Sequence, residues 1–436
     1  MSNKKLIPEL RFPEFKNAEE WEEEKLSIIS EVIMGSSPSS ASYNENGIGL
    51  PLLQGNADIK NRLSVPRIYT TEVTKECVID DILLSVRAPV GTVAKSLHKA
   101  CIGRGISALR VLKPNSQEYL YQWLFSYEAF WQKVSQGGTF DAVNSDDIRN
   151  LLVPTPNPKE QQKIASCLSS LDEVIAAHSQ KLDALKNHKK GLMQNLFPQS
   201  RLNCDSFDSN DENDFNNQSN QENHKNHSSD NIPKYRFKEF EKDGEWVEKK
   251  LSEMSIIGRG KSKHRPRDAE HLYGGKYPFI QTGDIRKADL YLSNYTQTYS
   301  DKGLKQSKLW NENTLCITIA ANIAETSILK IKACFPDSII GLITNEKVAN
   351  ILFIKYSFDV FKERIQSLSQ GVAQENLNQE KLSNIEFSFP SIQEQQKIAS
   401  CLSSLDALIT AQAEKIEQLK LHKKGLMQGL FPKMSE

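Results

Sequence analysis

Three segments of this 436-residue chain occur twice, and the distance between the two copies is the same for each segment. They read EQQKIASCLSSLD, HKKGLMQ and LFP. Because a long internal repeat reflects the architecture of a chain, the sequence predicts two related halves. The copies stand at 160–172 and 394–406, at 188–194 and 422–428, and at 196–198 and 430–432.

Shorter matches precede each copy. RFPEF at residues 11–15 matches RFKEF at 236–240, and EWEEEKL at 20–26 matches EWVEKKL at 245–251. The offset of these head segments is smaller than that of the repeat, so the regions between differ in length. Each half is therefore predicted to contain a short head, a variable body and a near-identical final segment.

The bodies show the patterns of mixed α and β structure. Residues 77–86 and 105–112 are rich in apolar and β-branched side chains, which is typical of strands. Aromatic residues recur at helical spacing in 116–136 and 349–370, which predicts one helix in each body. Short strands are expected at 150–156 and 384–390.

The repeated segment is predicted to begin a long helix. Asn157 and Ser391 stand at the N-cap position, and Glu160 and Glu394 follow three residues later, which is a capping-box arrangement. Pro158 suits the first helical position. The prolines at 198 and 432 end the two helices.

Apolar residues along both helices step by four and three, which is a heptad seam. For a lone copy this pattern favours a homodimeric coiled coil, but two matched copies can instead pair antiparallel within one chain. The predicted fold class is then α/β (α+β), with two similar globular domains joined by two long antiparallel coiled-coil helices and related by an approximate twofold axis. The seam residues are Ile164, Leu168, Leu171, Ile175, His178, Leu182 and Leu185, and Ile398, Leu402, Leu405, Ile409, Gln412, Ile416 and Leu419.

The domain boundaries follow from this order. Residues 199–232 are rich in Asn and acidic residues and poor in apolar ones, so we expect a disordered linker there. The predicted segments are a first body at 1–157, a first helix at 158–198, the linker at 199–232, a second body at 233–391 and a second helix at 392–436.

Composition restricts the class of protein. Lys and Arg number 55 and Asp and Glu 55, so any nucleic-acid site is local. No apolar run is long enough for a signal peptide or a membrane span. The seven cysteines form no CxxC pair, as expected of reduced thiols in a cytoplasmic protein.

The sequence lacks the common motifs of catalysis and of metal binding. The sequence has no P-loop, no HExxH or GxSxG motif and no His/Cys cluster. The GRG triplets at 103 and 258 are too short for a dinucleotide or S-adenosylmethionine loop. We therefore predict a chain without catalytic residues, a bound metal or a cofactor of its own.

Basic residues in predicted loops are candidates for DNA contact, because Lys and Arg bind phosphates and Arg also pairs with guanine. The sharpest group is GRGKSKHRPRD from Gly258, although a solvated surface is an equally good interpretation of its charges. Arg87 stands among apolar residues and is either a buried pair partner or a base reader. The candidates are Lys60, Arg62, Arg67, Arg87, Arg259, Lys261, Lys263, Arg265, Arg267, Arg286 and Lys287.

The duplicated helix segments, the RF..EF heads and the PFIQTGDI turn at residue 278 resemble the specificity subunits of type I restriction-modification enzymes. The resemblance covers nearly the whole chain outside the linker, which is longer than this family suggests. It implies that each body is a target recognition domain for one half of an asymmetric, two-part site in double-stranded DNA. It also implies that the helices are spacers on which two modification subunits dock.

In this family the partner subunits hold the cofactors. The resemblance implies that modification subunits bring S-adenosylmethionine and methylate adenine, and that restriction subunits bring ATP and Mg. Two alternatives remain open. One is a coiled-coil scaffold with two ligand-binding bodies and no nucleic acid, and the other is a self-sufficient DNA-modifying enzyme.

Overall fold

A computed structural model describes residues 6–136, 143–198, 231–264, 266, 269–320, 322–367 and 377–433. Apart from its last two residues, the predicted linker at 199–232 lies outside these ranges. Arg265 and Arg267 also lie outside them. Contacts divide the chain into one unit of Met1–Gln180 with Ala413–Glu436, and a second unit of Lys181–Gln412.

Unit 1 has mixed α and β structure, as predicted. Its helices before the repeat are α1 (Leu26–Ile29), α2 (Gln117–Gln136) and α3 (Ser145–Arg149), and α4 (Pro158–Leu196) begins in it. Its strands are β1 (Glu22–Lys25), β2 (Ser30–Met34), β3 (Tyr43–Asn44), β4 (Leu50–Leu53), β5 (Ile59–Lys60), β6 (Leu63–Ser64), β7 (Ile68–Thr70), β8 (Glu76–Cys77), β9 (Ile82–Ser85), β10 (Val93–Lys95), β11 (Ala100–Ile102), β12 (Ile106–Val111) and β13 (Leu152–Thr155).

The strands of unit 1 form two mixed sheets and a two-stranded ribbon. One sheet has the order β2-β12-β9-β10-β6-β5 and the other β3-β7-β4-β11-β8, while β1 pairs antiparallel with β13. The buried runs Ile82–Ser85 and Ile106–Val111 form neighbouring antiparallel strands, β9 and β12. Their apolar side chains pack against the aromatic face of α2, which contributes Tyr119 and Trp123 to the core.

Unit 2 repeats this order of elements with different sequences. Its helices are α5 (Leu251–Met254), α6 (Thr282–Lys287), α7 (Asp301–Lys305), α8 (Ile351–Ser367), α9 (Gln379–Asn384) and α10 (Ile392–Leu430). Its strands are β14 (Val247–Lys250), β15 (Ser255–Arg259), β16 (Tyr273–Phe279), β17 (Tyr291–Leu292), β18 (Gln297–Tyr299), β19 (Leu309–Trp310), β20 (Leu315–Thr318), β21 (Thr326–Leu329), β22 (Ala333–Cys334), β23 (Ile339–Thr344) and β24 (Glu386–Phe389).

The sheets of unit 2 correspond to those of unit 1. The order β15-β23-β20-β21-β17 matches the larger sheet of unit 1, the order β18-β16-β22-β19 matches its second sheet, and β14 pairs with β24 as β1 pairs with β13. The core again combines the sheet with an aromatic helix, here α8 with Phe353 and Phe358. The internal repeat therefore extends to the bodies, whose sequences match poorly.

The two long helices begin and end close to the predicted positions. The Asn157 side chain accepts a hydrogen bond from the Glu160 amide at 3.0 Å, and the Ser391 hydroxyl accepts one from the Glu394 amide at 3.3 Å. The helices end at Leu196 and Leu430, two residues before the predicted prolines. No helix of the described residues is long and apolar enough to cross a membrane.

The glutamates of the predicted capping boxes have a different role. Arg11 donates from two guanidinium nitrogens to the Glu160 carboxylate at 2.7 and 2.8 Å. Arg236 binds the Glu394 carboxylate in the same way at 2.9 and 2.7 Å. Both pairs are buried, with the carboxylate side chains 1% exposed. A bidentate charge pair outcompetes the single backbone amide that a capping box offers. Each head is thereby fixed to the first turn of its long helix.

The glutamine that follows each glutamate connects the long helix to the aromatic helix of the body. Gln161 accepts from the amide of Ser116 at 2.9 Å, just before α2 begins. Gln395 accepts from the amide of Asn350 at 3.0 Å, just before α8 begins. Both glutamines are buried, so these bonds satisfy backbone groups that water cannot reach. The first residues of the repeat, EQQ, thus connect the head, the long helix and the body of each half.

The Arg11–Glu160 pair provides a stability prediction. Glu160→Gln leaves the Arg11 charge buried without its counter-charge, so we expect the free energy of unfolding to fall by about 3 kcal/mol. Lys163→Gln is the control, because Lys163 forms an exposed pair with Glu14 next to it, and there we expect little change. Denaturant unfolding of both variants measures the difference. Equal losses would show that the buried pair contributes no more than a surface pair.

Candidate nucleic-acid interface

The predicted seam residues all lie on the buried or half-buried side of the long helices. In unit 1, Ile164 and Leu168 pack in one cluster with Met427, Leu430 and Phe431 from the end of α10. The first part of α4 therefore contacts the last part of α10. The buried seam residues are Ile164, Leu168, Ile398, Leu402, Gln412 and Ile416, and the half-buried ones are Leu171, Ile175, His178, Leu182, Leu185, Leu405, Ile409 and Leu419.

Unit 2 contains the reciprocal contact. Ile398 and Leu402 from the first part of α10 pack in one cluster with Leu196 and Phe197 from the end of α4. In each unit, the EQQKIASCLSSLD segment of one copy thus meets the LFP segment of the other copy. Pairing the start of one helix with the end of the other makes the helices antiparallel within both units.

A salt bridge accompanies each apolar contact. Lys423 donates to the two carboxylate oxygens of Asp172 at 2.6 and 2.7 Å, and Gln122 donates to the same carboxylate at 2.8 Å. These groups belong to unit 1. The aspartate is the last letter of EQQKIASCLSSLD, and the lysine belongs to the HKKGLMQ of the other copy.

The equivalent salt bridge in unit 2 joins Lys189 to Asp406 at 2.6 Å. Tyr356 donates its hydroxyl to the same carboxylate at 2.7 Å. Burial and the adjacent carboxylate raise the pKa of Tyr356, so the phenol stays protonated and remains a donor. We call these two sites the cross-copy salt bridges. They join the two repeated motifs, and the pattern of the sequence alone did not reveal this pairing.

A double-mutant cycle on the unit 2 salt bridge tests its contribution. We expect Lys189→Ala and Asp406→Ala to couple by about 1–3 kcal/mol in the free energy of unfolding, because both groups are largely buried and in direct contact. The exposed pair Lys420–Glu417 on α10 is the control, and its coupling should stay below about 0.5 kcal/mol. Additive effects at Lys189 and Asp406 would contradict a stabilising salt bridge.

A buried aspartate holds the equivalent turn in both units, after β4 in unit 1 and at the start of α6 in unit 2. Asp58 accepts from the amide of Gln54 at 2.7 Å. Asp284 accepts from the amide of Gln281 at 2.9 Å and from the Thr296 hydroxyl.

Two candidate DNA-contact residues of unit 1 are bound to carboxylates. Arg62 pairs with Glu128 and lies 4.4 Å from the Phe125 ring centroid. Arg67 donates to Asp58 at 2.9 Å, although its side chain is 57% exposed. A cation that is already paired gains less from a phosphate, so these two arginines are first of all structural.

The other two candidates of unit 1 are exposed. Lys60 lies at the end of β5, and Arg87 lies in the loop between β9 and β10. Neither side chain has a hydrogen bond or salt bridge to any residue that the structure describes. The alternative that Arg87 is a buried pair partner is therefore wrong, and its role as a base reader stays a prediction.

The candidates of unit 2 are exposed as well. Arg259 donates to the main-chain oxygen of Asp337 at 2.5 Å, and Arg286 approaches Asn322 at 3.4 Å. Lys261, Lys263 and Lys287 are exposed too. Arg265 and Arg267, the remaining two, lie outside the described residues.

The described residues contain no group of three or more His, Cys, Asp or Glu arranged to hold a metal. Their six cysteines are unpaired, and burial raises the pKa of the Cys77 and Cys334 thiols, which disfavours the reactive thiolate.

Arg62 and Arg87 give a matched comparison of a structural and an exposed arginine. We expect Arg62→Met to lower the free energy of unfolding by about 1–2 kcal/mol, because Glu128 loses its counter-charge and keeps only the Val93 amide as a partner. Arg87→Met should change it by less than about 0.5 kcal/mol, since the side chain is exposed. Thermal or denaturant unfolding decides between them. If Arg62→Met left stability unchanged, Arg62 would return to the group of DNA-contact candidates.

Known proteins share this arrangement. The family described as type I restriction modification DNA specificity domain matches residues 18–187 and again 243–421. The putative type I restriction enzyme MjaX specificity subunit of Methanocaldococcus jannaschii is 34% identical over 181 residues, which is 41% of this chain and 43% of that protein. The MjaIX subunit is 29% identical over 42% of this chain and 45% of its own length, so these alignments span less than half of either relative.

Solved structures share the fold. The type I restriction-modification S subunit from M. genitalium superposes with a TM-score of 0.61 at 16% sequence identity, covering 99% of this chain and 100% of that one. A chain from a solved type I R-M system gives a TM-score of 0.55, also at 16% identity, over 94% of this chain and 97% of its own length. With both repeats matched by the family model, the chain belongs to the type I restriction modification DNA specificity family.

Proposed function

We propose that the chain is the DNA sequence-specificity subunit of a type I restriction-modification complex. The observation that supports this most strongly is the contrast between the repeated parts. The cross-copy salt bridges and the Arg–Glu pairs are the same in both units, whereas the exposed side chains of the bodies differ. Ser36 of unit 1, for example, stands where unit 2 has Lys261, since the Ser36 amide donates to Ile102 beside the turn before β12 and the Lys261 amide donates to Phe335 in the turn before β23.

Different bodies on equivalent frameworks suit an asymmetric, two-part target in double-stranded DNA. Each body, predicted at 1–157 and at 233–391, would read one half-site, and the paired helices at 158–198 and 392–436 would set the gap between the halves. Base reading requires exposed donors and acceptors that differ between bodies, because the two half-sites differ.

The helices also support a proposal about partners. Exposed residues on the first turns of α4 and α10 are the same in both copies, such as Gln162 with Ser166 and Gln396 with Ser400. Two equal surfaces suit two copies of one modification subunit. S-adenosylmethionine, ATP and Mg would then belong to modification and restriction subunits, and this chain would be non-catalytic.

Genome-wide mapping of adenine methylation tests the proposal. A host that supplies a matched modification subunit is compared with and without this chain. We expect a new two-part methylated motif with a fixed unspecified gap, because each body contributes one half-site. An assembled complex that produced no new motif would contradict the proposal and favour a scaffold without nucleic acid. Methylation by the purified chain alone would contradict its non-catalytic role.

A further inference from the structure

The turn that precedes β12 in unit 1 and the turn that precedes β23 in unit 2 have the same main-chain hydrogen bonds. In unit 1, residues 103–105 form this turn between β11 and β12. The amide of Ser36 donates to Ile102 at 2.9 Å, and the hydroxyl of Thr74 donates to the main-chain oxygen of Ser36. Three segments that are distant in sequence therefore meet at this turn.

In unit 2 the corresponding turn is 335–338, between β22 and β23. The amide of Lys261 donates to the main-chain oxygen of Phe335 at 3.1 Å. The hydroxyl of Ser307 donates to the main-chain oxygen of Lys261 at 2.8 Å. These bonds repeat those of Ser36 and Thr74, so the two turns are equivalent by main-chain geometry rather than by sequence similarity.

A further segment joins each turn. The amide of Val86 donates to Gly105 at 3.0 Å in unit 1, and the amide of Ile319 donates to Ser338 at 3.0 Å in unit 2. The packing leaves no room for a side chain at the glycine of the turn in unit 1. A Cβ at Gly105 would stand 2.1 Å from the main-chain oxygen of Gln54. In unit 2, a Cβ at Gly260 would stand 2.2 Å from the main-chain oxygen of Pro336, so the main chain is closely packed around both turns.

Both turns carry exposed cations. Unit 1 presents Lys75 next to Thr74, Arg87 next to Val86, and Arg104 within the turn. Unit 2 presents Lys261 itself and Lys308 next to Ser307. We call each set the cationic edge of its unit. Lys75, Lys308 and Arg104 were not among the sequence candidates.

No carboxylate of the described residues forms a salt bridge with these five side chains. This separates them from Arg62 and Arg67, which are already paired. Lys308 lies 3.5 Å from the Trp310 ring centroid. Partial burial and the nearby charge of Lys261 lower the pKa of Lys308, so an anion placed between the two lysines would relieve their repulsion.

We infer that the two cationic edges are the surfaces with which the units contact phosphates of duplex DNA. This inference rests on the proposed function and adds the residues and the common position in the fold. Unpaired, exposed cations on a closely packed main chain suit phosphate contacts, which position a protein on the duplex, while other side chains read the bases.

The salt dependence of DNA binding by the full-length chain tests the inference. The probe is a short random-sequence duplex, and the dissociation constant is measured over a series of salt concentrations. We expect the double variants Lys75→Gln with Arg104→Gln, and Lys261→Gln with Lys308→Gln, each to reduce the slope of log K against log salt by about 1.8, since one lost phosphate contact removes about 0.9. Unfolding curves verify that both variants remain folded.

A matched control loses two exposed lysines elsewhere on unit 2, by Lys242→Gln with Lys347→Gln, and its slope should equal that of the unaltered chain. If the unaltered chain binds and the edge variants behave like this control, the inference is overturned while the proposed function stands. A reduced slope in only one double variant would overturn the common position of the two edges. Absence of salt-dependent binding by the unaltered chain would overturn both proposals.

Discussion

Pairing between the two copies of the repeat is the constraint on which the other features depend. The aspartate that ends EQQKIASCLSSLD forms a salt bridge with a lysine of the other copy. These pairs are Asp172 with Lys423 and Asp406 with Lys189. Between each salt bridge and the start of the helix that carries its aspartate, apolar residues pack in the same cross-copy sense. Each unit is consequently completed by a helix segment that lies far away in sequence, and neither repeat can change alone without loss of its partner contact. This reciprocal requirement is a physical reason for two nearly identical segments in one chain.

Much of the fold could be predicted because regular patterns determine it. The heptad spacing, the N-cap residues and the terminal prolines predicted the bounds of the long helices to within a few residues. The β-branched runs predicted the strands β9 and β12, and the aromatic spacing predicted the helices α2 and α8. The correspondence of the two bodies beyond these elements was not predictable, since it resides in main-chain bonds such as those of Ser36 and Lys261. Such bonds leave no requirement on side-chain identity.

The candidate site was less predictable than the fold. Local charge suggested Arg62 and Arg67, yet Glu128 lies 66 residues from Arg62 in sequence and Asp58 faces Arg67 from a buried turn. Conversely, Lys308 was not a sequence candidate, and Lys261 becomes its neighbour only when the segment after β15 and the segment before β19 come together. Whether a basic residue is available to a ligand depends on these distant partners. The head arginines, Arg11 and Arg236, did have a signal, because each head recurs with its own copy of the helix.

The glutamine in the joint between helix and body has a consequence for evolutionary drift. The hydrogen bonds of Gln395 to the body go to main-chain groups: it accepts from the Asn350 amide and donates to the oxygens of Val348 and Pro390. Such hydrogen bonds depend on the path of the backbone and do not depend on which side chains the body carries. Selection on the joint therefore leaves the body free to accumulate substitutions. A body of quite different composition could occupy the same place, provided that its chain enters and leaves along the same path.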